Sequence, residues 1–192
     1  MALSSLLAEL ETLGETNDAR ETDRARKLLN ITRDTGELLA VLLKAGGCRR
    51  VLEVGTSNGY STLWLASSLP ADGCVVSLDS AADKLAMAAD NLARAGLTER
   101  VELVEADATA YLAEQSTAFD LVFLDADRSQ YPAMAEDVFR LVRPGGLLVC
   151  DNVLSHADEV APFLAAVEAS GLFTSAIVPV GKGELVACRH PD

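Results

Sequence analysis

No apolar run in this chain of 192 residues approaches the length of a bilayer span, and its N-terminus carries neither a basic leader nor a small-residue cleavage pattern. The expectation is a soluble, cytoplasmic protein with no membrane partner. Cysteine is sparse. Cys48, Cys74, Cys150 and Cys188 lie far apart with no C-x-x-C pair, which argues against a disulfide framework or thiolate metal cage and for small buried hydrophobes in a reduced compartment. Positive charge is short as well: 16 Lys and Arg face 29 Asp and Glu, only four are lysines, and no basic run exceeds Arg49-Arg50. A net charge of −13 and a pI of about 4.5 repel nucleic acid, acidic membrane and polyanionic substrates. The chain lacks both Gly-x-Gly-x-x-Gly and the Lys of a phosphate loop, which argues against a nicotinamide dehydrogenase. With no repeat, low-complexity segment or linker, and with 49% hydrophobic residues, residues 1–192 read as one domain able to bury a core unaided.

What is present is organised around Val51-Leu52-Glu53-Val54-Gly55-Thr56-Ser57-Asn58-Gly59-Tyr60-Ser61. Its first four residues read as a buried strand, Gly55 and Gly59 bracket a tight loop, and the residues from Thr62 begin a helix. A strand, a glycine loop and a helix N-terminus make a nucleotide-type pocket, because glycine lets backbone approach a ligand. An ordinary strand-to-helix turn has the same pattern. Upstream, Leu3, Leu6, Leu7, Leu10 and Leu13 recur at helical spacing, and Leu28-Leu29 with Leu38, Leu39, Leu42 and Leu43 form a second set, joined by a polar stretch from Gly14 to Arg26 that reads as a connector or an exposed helical face. Residues 1–44 are expected as helices that cover the sheet or form a lid or dimer surface. Downstream, predicted strands at 51–54, 74–78, 101–105, 119–124 and 147–150 alternate with helices, and strands at 173–180 and 184–188 flank Gly181-Lys182-Gly183. The expected fold is α/β: a Rossmann-like, seven-stranded, mostly parallel sheet with helices on both faces and a C-terminal antiparallel hairpin.

Ligands of such open sheets bind beyond the carboxyl ends of the strands. Those ends carry Glu53, Asp79, Asp107, Asp125 and Asp151. Each alone is a common capping or turn residue; gathered in one cleft they repel unless a cation or hydroxyl donors intervene. Asp79 follows Gly59 by twenty residues, where nucleotide-binding folds set a carboxylate on ribose hydroxyls, and Asp107 with Ala108 falls beside an adenine. Asp125 and Asp151 end strands expected to be neighbours, about 4.8 Å apart, and Asn152 adds an amide oxygen. Two carboxylates and an amide with open positions suit a hard octahedral cation such as Mg2+ or Mn2+.

Glu53-Val54-Gly55 with Gly59-Tyr60-Ser61, the segment 119–127 with Tyr131, Gly145-Gly146 through Asp151-Asn152, and Pro179-Val180-Gly181-Lys182-Gly183 together give a pattern that resembles the cation-dependent class I O-methyltransferases. That group contains the catechol and caffeoyl-coenzyme A O-methyltransferases and small bacterial relatives, and the resemblance runs from about Leu28 to Arg189. It implies a class I methyltransferase fold and S-adenosylmethionine held at Ile31, Glu53, Gly55, Ser61, Asp79, Ala108 and Asp125, to which the loop's Ser57 and Gly59 and the strand-tip Asp107 are added. It implies Mg2+, Mn2+ or Ca2+ at Asp125, Asp151 and Asn152, a homodimer, and a small catechol-like or polyphenolic acceptor.

Asp125 and Arg128 are the implied catalytic residues, and Arg128 departs from the family pattern. The family has a lysine three residues after the first metal aspartate; arginine cannot lose its proton and act as a base. Arg128 is therefore expected as a fixed positive charge that stabilises a phenolate or grips an acidic substituent, the alternative being a solvated loop charge. His156 reads as a pocket-mouth residue or a surface-loop histidine, Glu184 as an acceptor contact or an exposed cap, and Asp127 as facing the pocket or capping the loop. Two other functions remain open. One is methylation of a hydroxyuridine in transfer RNA, disfavoured by the acidic balance; the other is S-adenosylmethionine binding without turnover.

Overall fold

The computed structural model describes residues 2–191. In chain order it contains α1 (Leu3–Arg20), α2 (Arg33–Ala45), β1 (Arg50–Val54), α3 (Tyr60–Ser68), β2 (Cys74–Asp79), α4 (Ala82–Ala95), β3 (Val101–Glu105), α5 (Ala108–Glu114), β4 (Phe119–Leu124), α6 (Tyr131–Leu141), β5 (Val142–Cys150), α7 (Ala157–Ser170), β6 (Phe173–Val178) and β7 (Glu184–Arg189). The strands form one sheet in the order β3-β2-β1-β4-β5-β7-β6. Pairing is parallel from β3 to β5, and β7 runs antiparallel to both β5 and β6. The expected α/β architecture and closing hairpin are both present. Because the chain steps outward from β1 to β3 and then returns to β4 on the other side of β1, the connections diverge there and open a crevice at the carboxyl ends.

Continuous apolar runs in β1 and β4 reflect burial on both faces: Val51, Leu52, Val54, Leu121, Val122, Phe123 and Leu124 are all essentially inaccessible. Leu112 of α5, Met134 and Val138 of α6 and Phe163 of α7 pack in one apolar cluster. Leu6, Leu7 and Leu10 of α1, Leu39 and Leu43 of α2, Leu63 of α3 and Leu92 of α4 pack in the other.

Helix α1 runs on to Arg20, so the first part of the polar stretch is the helical face and the rest the connector, and Gly14 is buried where a Cβ would lie 2.5 Å from Asn30 Nδ2. Two local expectations are corrected. Leu28-Leu29 is not helical. The Asp18 carboxylate accepts the N–H groups of Leu28 and Leu29 at 2.7 and 2.9 Å, and Leu29 adopts φ +52°, so the pair forms an irregular strap between helices. Strand β5 starts at Val142 rather than 147, because the register with β4 shifts between Phe119 and Leu121 and Pro144-Gly145-Gly146 bulges inside the strand.

One carboxyl group lies inside this core. Glu53 is fully buried, and its Oε2 accepts hydrogen bonds from Thr62 Oγ1 of α3 and Ser77 Oγ of β2, each at 2.5 Å. It therefore clips β1 to both neighbours. Burial raises its pKa from 4.5 to about 7, against hydrogen bonds from Ser61, Ser77 and Thr62 that lower it. A carboxyl whose folded pKa is raised lets the unfolded chain ionise first, so stability falls as pH rises from about 4.5 to about 7 and levels off above that. Glu53→Gln fixes the neutral form. Relative to the native chain it is expected to gain roughly 3 kcal/mol between mildly acidic and mildly basic pH, read as the difference between urea unfolding curves at the two ends. A difference independent of pH would show the carboxyl to be ionised in the folded protein.

Candidate active site

The carboxyl ends of the parallel strands open into one cavity of about 730 Å3, large enough for a drug-sized ligand. The loop after β1 builds one wall. Gly55 has φ +109°, and a Cβ there would lie 2.2 Å from the Asp125 carbonyl oxygen, so the loops after β1 and β4 touch only because position 55 has no side chain. Ser57, at φ +46°, donates its N–H to Asp79 Oδ2 at 2.8 Å, and Asp79 Oδ1 accepts from the Ala81 N–H at 3.0 Å. Each of these oxygens keeps a lone pair for a ligand hydroxyl. Ser57 Oγ also donates to the Leu28 carbonyl at 2.6 Å, and the Lys84 ammonium donates to the Lys27 carbonyl. These bonds lay the strap over the loop and set Ile31 in the cavity wall. Asp107 caps α5 by accepting the Ala110 N–H at 2.9 Å and lines the same cavity with Ala108.

The acids meet at the other end. Leu124 of β4 lies opposite Cys150 of β5, so Asp125 and Asp151 emerge side by side from paired parallel strands. Asn152, at φ +70°, turns back and donates from Nδ2 to Asp125 Oδ1 at 3.1 Å. Asp151 Oδ1 accepts the Asn152 N–H at 2.6 Å, while its Oδ2 is buried without a partner among the described residues. Glu184 is fully buried and is not an exposed cap: Thr35 Oγ1 of α2 donates to its Oε1 at 2.8 Å, and Oε2 has no partner among the described residues. Burial, then the charge of Asp151, pushes the Asp125 carboxyl well above its ordinary range. Glu184 is raised for the same two reasons.

That cluster fits a cation. Buried carboxyl oxygens without partners mark excess negative charge where water does not reach. Among the described residues no three His, Cys, Asp or Glu side chains are grouped to hold an ion by themselves. A set of two carboxylates and one amide suits instead a hard cation that retains waters or takes ligands from a substrate.

Of the residues expected to hold a cofactor, all but Glu53 and Gly59 line the cavity. Glu53 lies under the loop in the network described above, and a Cβ on Gly59 would lie 3.0 Å from the Ala88 side chain of α4. Of the expected metal set, Asp125 and Asn152 line the cavity and Asp151 lies buried beside them.

Arg128 is only 5% exposed and is no solvated loop charge; its Nε donates to Glu159 Oε2 at 2.9 Å. Asp127 both lines the cavity and caps its loop, accepting the Ser129 N–H at 3.1 Å. The buried Tyr131 phenol accepts the Ala126 N–H at 2.8 Å and so fixes the loop that carries these residues. His156 lines the cavity too. Sequence reasoning gave no role to Lys84 or Lys182, which both line it. Lys182 stood inside a quoted motif, whereas nothing near Lys84 marks it.

Gly55→Ala tests the contact between the two loops. A Cβ driven against a carbonyl from a left-handed backbone is expected to cost roughly 2–4 kcal/mol, seen as a drop of several degrees in thermal midpoint. An unchanged midpoint would show that the loops do not sit this close.

The sequence profile of the O-methyltransferase family matches residues 4–169. The chain is 34% identical to a catechol O-methyltransferase of Niastella koreensis over 146 residues, 74% of this chain and 65% of that protein. It is 39% identical to a catechol O-methyltransferase of Mycobacterium tuberculosis over 139 residues, 72% of this chain and 61% of that protein. The matches thus span a little under two thirds of these curated relatives. The fold superposes on the O-methyltransferase of Bacillus cereus in complex with SAH with a TM-score of 0.82 at 28% identity, covering 96% of this chain and 90% of that one. The chain belongs to the O-methyltransferase family.

Proposed function

We propose that the cavity binds S-adenosylmethionine toward Asp79 and a divalent cation, Mg2+ or Mn2+, toward Asp125, and that the chain methylates a hydroxyl of a small catechol-like or polyphenolic acceptor. One observation carries this reading: Asp125, Asp151 and Asn152 stand together at the edge of the same cavity that Asp79 and the Gly55 loop line. The names of the relatives and the SAH in the Bacillus cereus structure support it.

When bound, the sulfonium supplies an electrophilic methyl group and the dication supplies Lewis acidity toward a chelated hydroxyl. The chain's own residues do the rest. Asp79 accepts the ribose hydroxyls, and its geometry is set in advance by two backbone donors. Ile31 and the strap shield the cofactor end from water. Asp125, whose carbonyl oxygen lies against Gly55, spans both ends and fixes the distance between donor and acceptor. Transfer breaks one S–CH3 bond and makes one O–CH3 bond; sulfur keeps the electron pair, and the hydroxyl proton leaves to water through the cavity mouth. Arg128 keeps its own proton and offsets the charge that develops on the acceptor oxygen. Cys48 and Cys150 are buried as expected, whereas Cys74 is half-buried and Cys188 is exposed; a cytoplasmic setting is part of the proposal on the sequence reading alone. A homodimer is part of the proposal on the strength of the sequence resemblance alone.

The test is methyl transfer from labelled S-adenosylmethionine to catechol with Mg2+, with chelator, and with Asp151→Ala. Chelator and substitution are each expected to cut turnover by about a hundredfold or more, while equilibrium dialysis shows cofactor affinity changed by no more than about threefold. Activity that survives the chelator would remove the cation from the proposal. Label appearing in transfer RNA but in no phenol would replace the acceptor class.

A further inference from the structure

Strand β6 is the last of the sheet, and among the described residues only β7 pairs with it. Its other edge therefore offers a row of backbone N–H and C=O groups to whatever strand comes alongside. Proteins usually blunt such an edge with a charge, a proline or a bulge. Phe173-Thr174-Ser175-Ala176-Ile177-Val178 has none of these: the six residues are uncharged, include no proline, and pair with β7 from end to end without a register shift. The four inner residues are exposed, Ile177 by 48%. On the side of the sheet that α2 covers, the cover also stops short of this edge. Glu184 points toward α2, where Thr35 donates to it, so Val186 and Cys188 face the same side, with Ala176 and Thr174 opposite them on β6. Val186 is only half-buried, and Cys188, Ala176 and Thr174 are exposed. Val41 of α2 itself is 62% exposed.

Charge selects what can lie there. The chain carries a net charge of −13, so any acidic protein, another copy included, is repelled by most of its surface. From Ala169 to Pro191, however, the sequence holds a single acid, Glu184, and that residue is fully buried. The same stretch carries Lys182, Arg189 and His190. A cationic partner would be drawn to the acids elsewhere, whereas an acid-free strip fits a partner that is itself acidic. An uncharged edge is also its own complement: laid antiparallel on itself about a two-fold axis, β6 sets only Phe, Thr, Ser, Ala, Ile and Val opposite one another in every register. We infer that β6 is the interface with a second copy of this chain, the two free edges joining antiparallel so that the two seven-stranded sheets run on as one. The inference rests on the homodimer part of the proposed function, names its surface, and is independent of methyl transfer.

Sedimentation equilibrium of the full chain tests it. The native chain is expected at twice its mass of 20.3 kDa, with a dissociation constant of about 10 μM or tighter. Thr174→Lys and Ile177→Lys put a charge on either face of the edge, and each is expected to weaken the dimer about thirtyfold or more. Both positions are exposed, so the variants are expected to keep the native circular dichroism and thermal midpoint; either one alone decides the matter if the other fails to fold. Met87→Lys, at a half-exposed position on α4, is expected to leave the dissociation constant within about twofold. Salt is expected to tighten the dimer, because it screens the repulsion between two acidic copies. A native chain that stays at 20.3 kDa up to about 100 μM, well above that constant, overturns the inference and leaves methyl transfer standing. A dimer that survives both β6 substitutions, or that Met87→Lys weakens as much, overturns the assignment to this edge. Dissociation by salt shows ion pairs holding the copies and overturns it as well. A dimer that the β6 substitutions split supports the inference even where no catechol is methylated, so its fate and that of the methyl-transfer reading are read separately.

Discussion

Two carboxyl groups held side by side, Asp151 buried and Asp125 at the cavity wall, set the terms for the rest of the site. Paired parallel strands lie about 4.8 Å apart, and the register that puts Leu124 opposite Cys150 leaves Asp125 and Asp151 no freedom to separate. Glu184, arriving on the antiparallel β7, adds a third acid to the same region. Like charges in such a place either take up protons or draw in positive partners. The structure gathers the partners: the Asn152 amide against Asp125, the Thr35 hydroxyl against Glu184, and Arg128 and Lys182 around the cavity. A hard dication fits as the remaining partner, because oxygens on Asp151 and Glu184 still lack one.

The other end of the cavity is built mainly from backbone. Gly55 removes a side chain so that two strand-end loops touch, and Ser57 accepts a left-handed conformation so that its N–H reaches Asp79. Positive φ at a non-glycine residue is uncommon and persists only where the surroundings hold it. Here the holding is done by the strap, whose Leu28 carbonyl takes the Ser57 hydroxyl while Lys84 takes the neighbouring carbonyl. The N-terminal region thus completes this wall of the cavity as well as packing against the core.

Strand tips were legible because the alternation of apolar runs and helical patterns fixes which residue stands last in each strand, and parallel pairing then aligns those residues. That logic places Asp79, Asp107, Asp125 and Asp151 without any knowledge of side-chain contacts. It fails where the partner is remote or the backbone departs from its pattern. Leu28-Leu29 has the composition of a helix but takes its shape from Asp18. The burial of Glu184 depends on Thr35, 149 residues earlier. Strand β5 starts early because a Pro-Gly-Gly segment, a usual turn signal, is absorbed as a bulge. Asp151 was legible as a strand tip, but its position beside the cavity rather than in its wall depends on Asn152 turning back over it.

Arginine in place of the family's usual lysine changes which tasks the protein can share out. A lysine at this position can carry charge, take a proton and bend toward its target, since the ammonium is compact and its stem flexible. Arg128 gives up the second task and constrains the third, because its Nε is engaged by Glu159 and its side chain is buried. An arginine is no proton acceptor, so in the proposed reaction acid–base work passes to water and to whatever lowers the pKa of the acceptor hydroxyl. Proton removal then limits the rate only if that acidity is insufficient.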